Sequence, residues 1–246
     1  MRLNYHQKSN GMYILKKPDF EDIATQVLAE YAPQNLFMAQ PLDADHFLKE
    51  CLYLDVKYRY LSISGSILGM IAFEDIELPR VVDGCKMEAI KEGTILIDPS
   101  LCTTKQNARC RFTKIHEGSH WILHRSYHSP THKCYNFRKD MSIIACRSNT
   151  IERFRWKRDR KWNDEDWEEW QADSLTAALL MPREVFLDAV DYAMRRNRIF
   201  QRYLIKGEQP FESRRVIQEI ATLFGVSQRA TQIRMNQFNM IRETWG

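Results

Sequence analysis

Two histidines one helical turn apart, His116 and His120, enclose the pattern His116-Glu117-Gly118-Ser119-His120. On a helix, residues four apart project from the same face, so the two imidazoles can converge on one metal ion. Zinc accepts neutral imidazole nitrogen, and a catalytic zinc takes three protein ligands and leaves a position open for water. Such a metal lowers the pKa of water to about 7, and a neighbouring carboxylate, here Glu117, takes the proton as the water attacks a carbonyl. The same five residues also arise by chance in unrelated chains. Their surroundings therefore decide between the two readings.

Those surroundings read as a buried helix. Phe112, Ile115, Ile122 and Leu123 form an apolar stripe, and no proline occurs from Thr103 to Arg125. Gly118 costs on the order of 1 kcal/mol relative to alanine inside a helix, which predicts a packing reason such as a strand passing close by. His124, His128 and His132 continue the four-residue spacing, but Pro130 argues against one continuous helix. His124, Tyr127 and His128 are candidates to line the cleft or donate to a developing oxyanion. His128, His132, Cys134 and Cys146 together could form a second, structural zinc site, although their spacing matches no standard finger and surface histidines with buried thiols are the favoured explanation.

A third ligand must come from elsewhere in the chain. Residues 167–181 are rich in helix formers and end before Pro182, and Glu169, Ala172, Asp173, Thr176 and Leu180 share one face of that helix. A carboxylate on this face can complete the coordination. Glu168 and Glu165 are alternatives to Glu169, which the spacing to Asp173 favours. Asp173 can accept a hydrogen bond from the free N–H of a ligating histidine.

Upstream, Phe20, Ile23, Ala24, Val27 and Leu28 recur at helical spacing, and a second helix is expected from Pro41 with Phe47, Leu48 and Leu52 inward. The period then changes to short β-branched and aromatic runs at 56–63, 67–73 and 94–98, read as strands of a small antiparallel sheet. The last of these could offer an edge to an extended peptide, or could be an ordinary core strand. Downstream, Val185, Phe186 and Val190 form one helical stripe and Ile217, Ile220, Ala221 and Phe224 another. Gly225-Val226-Ser227 then makes a helix-turn-helix-like break, with Ser227 as a cap. Packing on the core is preferred to DNA contact for this tail.

At 246 residues the chain can bury a sizeable core without disulfides. Its six scattered cysteines read as free thiols. No basic-then-apolar leader and no membrane-length apolar run is present, so a cytoplasmic protein that does not use a membrane is expected. The net charge of +4 is compatible with an acidic partner but does not require nucleic acid. Basic and aromatic residues interleave from Arg147 to Trp162, but the acidic run Asp164 to Glu169 follows at once and favours internal pairing.

Together Arg111-Phe112-Thr113, His116 to His120, Glu169-Trp170-Gln171-Ala172-Asp173 and Leu179-Leu180-Met181-Pro182 resemble the two-part motif of the ImmA/IrrE family of metallo-endopeptidases. The resemblance extends in general layout from about Asp43 to Pro182. It implies that His116, His120 and Glu169 are zinc ligands, one Zn2+ per chain, and that Glu117 is the catalytic base. It implies an α+β, zincin-like core of small sheet and active-site helices at 41–190, after an N-terminal helical segment at 1–40 and before a helical C-terminal region at 191–246. It further implies regulatory cleavage of a DNA-binding repressor, often on a mobile element. The rival reading is a DNA-binding regulator with a structural or vestigial metal site. One departure is visible: the family commonly has Leu-Gly where this chain has Gly118-Ser119.

Overall fold

Helical spacing in the first forty residues produces α1 (Lys17–Tyr31), which buries Phe20, Ile23, Ala24, Val27 and Leu28 and stops before Pro33. In the computed structural model, which describes residues 3–81, 86–129, 143–147 and 162–242, the chain forms an α+β fold. Contacts group it into two compact units, one of residues 1–23 and 43–176 and the other of residues 24–42 and 177–246.

In the first unit, Asp43 caps the single turn α2 (Ala44–His46) by accepting from the His46 N–H at 3.1 Å. A π-helical turn at Phe47–Cys51 follows, burying Phe47 and Leu48. Strands β1 (Asp55–Tyr58), β2 (Ile67–Ala72), β3 (Ile76–Pro79), β4 (Met87–Ile90) and β5 (Thr94–Ile97) come next. The helix α3 (Asn107–His124), strand β6 (Ile143–Arg147) and helix α4 (Asp164–Leu180) complete the elements that position the site.

The main sheet has the order β1-β5-β2-β6 and is mixed. β1 runs parallel to β5, with Val56 beside Ile95, while β2 is antiparallel to both β5 and β6. The expected purely antiparallel sheet is thus corrected. The reason is topological, because β1 reaches β5 only after β2 and the β3–β4 hairpin have intervened. β5 is also not an edge. All four of its residues are buried between two neighbours, which is what its unbroken Thr-Ile-Leu-Ile run reflects.

Alternation along the strands gives the sheet two occupied faces. Met70, Ala72 and Leu96 cluster with Ile90, and Ile76 and Leu78 of the hairpin pack against them. The opposite face carries Gly69, Ile71, Ile95 and Ile97 in register, and α3 lies on it. The side chain of Lys114, itself buried, ties α3 to the first helical turn through a 2.5 Å bond to Asp45. The hairpin was not foreseen, because its half-buried residues show no clean two-residue alternation.

The second unit contains α5 (Arg183–Arg196), α6 (Pro210–Phe224) and α7 (Gln228–Gln237). Phe186, Val190, Ile217, Ile220, Ala221 and Phe224 are buried as their spacing requires. Gly225 closes α6 in the left-handed region at φ 61°, and the Ser227 hydroxyl caps α7 by accepting from Ala230 N at 3.1 Å. A two-residue parallel ladder joins β7 (Leu204–Ile205) to β8 (Ile241–Arg242). Arg234 turns inward, donating from Nε and Nη2 to the Met181 carbonyl at 3.2 and 2.8 Å.

Among the described residues, Cys51, Cys102 and Cys110 are free thiols, and no helix is long and apolar enough to cross a membrane. The basic run to Lys161, together with His132 and Cys134, lies outside the described residues, as does the side chain of Cys146. Three of the four side chains of the second-zinc reading therefore lie outside the described residues.

Candidate metal centre

The stripe that predicted a buried helix puts the middle of α3 out of solvent. His116, Glu117, Ser119 and His120 are fully buried. The two imidazoles meet edge to face, and their Nε2 atoms stand 3.0 Å apart. Glu169 comes to the same point from α4, with Oε2 3.7 Å from His116 Nε2 and Oε1 3.7 Å from His120 Nε2. Among the described residues, His116, His120 and Glu169 bring one donor atom each within 4.8 Å of one another. Two imidazole nitrogens and one carboxylate are the donor set of a catalytic zinc site. Of the two alternatives, Glu165 is exposed and Glu168 is engaged by His128 at 2.6 Å.

Gly118 and Gly69 explain how the helix reaches this position. A Cβ on Gly118 would stand 2.7 Å from Leu48 Cδ2 and 3.3 Å from Leu52 Cδ1. The packing reason for Gly118 is therefore the π-helical turn, not the strand the sequence suggested. The close strand crosses at Gly69 of β2, where a Cβ would meet Thr113 Cγ2 at 2.5 Å and Glu117 Oε1 at 2.7 Å. Ser119, the departure from the family pattern, is accommodated by its neighbours. Its hydroxyl donates to the Ile115 carbonyl at 2.8 Å, and so accepts from Thr176 Oγ1 at 3.0 Å.

Asp173 approaches from the same face of α4, with Oδ1 3.0 Å from His116 Nδ1. At that distance the carboxylate meets the His116 ring both as a close polar contact and as a charge. Burial pushes the His116 pKa down, but the Asp173 carboxylate, aided by Glu169 and Glu117, overrides it and raises the value to about 9. His120 responds in the opposite sense. Burial and the nearby histidines hold its pKa well below the ordinary value. A His116 Nε2–H directed at the His120 Nε2 lone pair accounts for their 3.0 Å separation.

His124 stands behind His120 with both ring nitrogens in contact with protein. Nδ1 is 3.0 Å from His120 Nδ1, and Nε2 is 3.1 Å from Gln171 Oε1. Burial and the adjacent His128 lower its pKa to about 3. His128 is buried, stacks on Phe73 with centroids 4.3 Å apart and contacts Glu168. Tyr127 is buried beside Met12. The sequence points to these three by proximity and to Glu168 only as an alternative ligand, and it leaves the roles of Gln171, Gly69 and the Tyr13 carbonyl unassigned. Gln171 sits between Glu169 and Asp173 in the motif, a position that was a usable signal.

A mixed α+β fold carrying a buried His, His, Glu cluster on two adjacent helices is the arrangement of a metallopeptidase. The model of the IrrE N-terminal-like domain, Peptidase_M78, matches residues 101–236, more than half of the chain, and the chain belongs to that family. No curated protein matches it.

Proposed function

We propose that this protein is a zinc-dependent endopeptidase with a zincin-like core, in which His116, His120 and Glu169 hold the metal and Glu117 is the general base. The observation that carries this reading is the convergence of His116 Nε2, His120 Nε2 and the Glu169 carboxylate at one buried point. Zinc bound there supplies Lewis-acid activation of a water and of the scissile carbonyl. Glu117 takes the proton released as the water oxygen bonds to the carbonyl carbon, and returns it to the amine as the C–N bond breaks. Gly69 leaves the Glu117 carboxylate the space beside the helix that this role needs. Asp173 orients His116 through Nδ1.

The substrate class follows from the family resemblance: a helix-turn-helix repressor cut at one or a few sites, so that proteolysis regulates transcription. Such a protease acts on few proteins, and generic peptides are poor probes of it. For the α6–α7 pair, inward packing is favoured over DNA contact because Thr231 and Arg234 of α7 are buried.

The test is zinc content per chain in the parent and in Glu169→Ala, followed by incubation with repressors encoded near the gene. One zinc in the parent, loss of zinc in the variant and zinc-dependent cleavage of a repressor are expected. A parent that takes up no zinc after reloading overturns the reading.

A further inference from the structure

A chain of contacts behind the metal centre runs in one direction only. Gln171 donates from Nε2 to the main-chain carbonyl of Tyr13 at 2.9 Å. A carbonyl oxygen can only accept, so the amide nitrogen of Gln171 faces Tyr13 and its oxygen Oε1 faces His124. Oε1 in turn can only accept. His124 Nε2, 3.1 Å away, must therefore carry the hydrogen, which in a neutral imidazole leaves Nδ1 with a lone pair. That lone pair stands 3.0 Å from His120 Nδ1, which must then be the N–H. His120 is left with its free lone pair on Nε2, the nitrogen that faces His116 and Glu169.

We infer that His124 and Gln171 are positioning residues that hold His120 in the one neutral tautomer able to bind a metal through Nε2, with the Tyr13 carbonyl setting the direction of the whole chain. The inference rests on the metallopeptidase reading for its purpose. The tautomers themselves follow from the contacts alone. Reversing any link places acceptor against acceptor at Tyr13 or at Gln171, where buried polar groups are costly to leave unmatched. The arrangement also explains a histidine one turn beyond the metal motif whose two nitrogens are both turned to protein. His116 and His120 are thereby oriented by different means, the first by a carboxylate and the second by a neutral relay.

The experiment is ring-nitrogen NMR of the full chain with 15N-labelled histidine, recorded after chelator treatment and again with zinc. His124 protonated at Nε2 and His120 protonated at Nδ1 are expected in the zinc-loaded protein. His124 should keep its Nε2–H in the chelator-treated protein too, so a failure of zinc binding does not hide the tautomer. His124 protonated at Nδ1, or a mixture of tautomers, overturns the inference.

Chelator competition then reads the consequence. Gln171→Leu and His124→Leu should weaken zinc retention about 10- to 100-fold, whereas His124→Asn, which restores an acceptor near the position of Nδ1, should recover most of it. Equal retention by the leucine and asparagine variants of His124 would reduce the residue to packing and overturn the positioning role.

Discussion

His116 Nε2 and His120 Nε2 lie 3.0 Å apart, a separation at which one hydrogen can be shared between two nitrogens of the ligand set. His116 is the residue that carries it, because its pKa is raised to about 9 while that of His120 is pushed well below the ordinary histidine value. Metal and proton therefore compete for His116.

The stability of the chelator-treated protein should report this competition. A histidine raised from 6.5 to about 9 on folding contributes stability that is complete below pH 6.5 and disappears as pH rises through 9. Between about pH 7.5 and 8.5 the native state binds close to one more proton there than the unfolded state. Stability should fall by about 1.4 kcal/mol per pH unit, seen as a falling urea midpoint. The lowered pKa values of His120 and His124 act in the opposite sense as unfolded histidine titrates around pH 6.5, and little of that remains above pH 7.5. Zinc-loaded protein should lack the slope. A flat profile in both forms would show that His116 has an ordinary pKa.

Glu117→Gln separates metal binding from chemistry. The amide is nearly isosteric in a fully buried position but cannot take a proton. Zinc content should remain one per chain while repressor cleavage falls by about 100- to 10,000-fold. Residual cleavage near the parent level would remove Glu117 as the base.

Gly69→Ala tests the close crossing of strand and helix. The added methyl meets Thr113 Cγ2 and Glu117 Oε1 inside 3 Å, and a buried threonine on a helix has little rotamer freedom to move away. A loss of about 1–3 kcal/mol in urea unfolding is expected from overpacking. A drop in kcat with zinc retained should accompany it, as the Glu117 carboxylate is displaced.

Metal removal should be visible in thermal unfolding. Zinc binds the folded site in preference to the unfolded chain, so free zinc at a thousandfold excess over its Kd stabilises by about 4 kcal/mol. Chelator should lower Tm in the parent, and Glu169→Ala should blunt the difference.

Arg234→Met probes the second unit. Its guanidinium donates twice to the Met181 carbonyl at the end of α4 and lies 4.6 Å from the Phe238 ring. Removing these bonds to a charged donor should cost about 1.5–3 kcal/mol without changing zinc content, measured by denaturation and metal analysis on the same preparation.

Local pattern settled a good deal before any folding was considered. The four-residue spacing of His116 and His120, the placement of Glu169 and Asp173 on one face of the later helix, and the apolar stripes of α1, α3, α5 and α6 all follow from helical period alone. The metal-assisted hydrolysis suggested by His-Glu-x-x-His follows from residue type.

Tertiary structure decided what period cannot encode. β5 lies inside a mixed sheet because strand order depends on which segments meet after the intervening hairpin forms. Gly118 packs on a π-helical turn, and Gly69 on Glu117, because close approach is a property of two surfaces. The link from His120 through His124 and Gln171 to Tyr13 joins residues up to 158 positions apart. Hydrogen-bond direction, and with it the tautomer of a ligand histidine, exists only once those distant groups have been brought together.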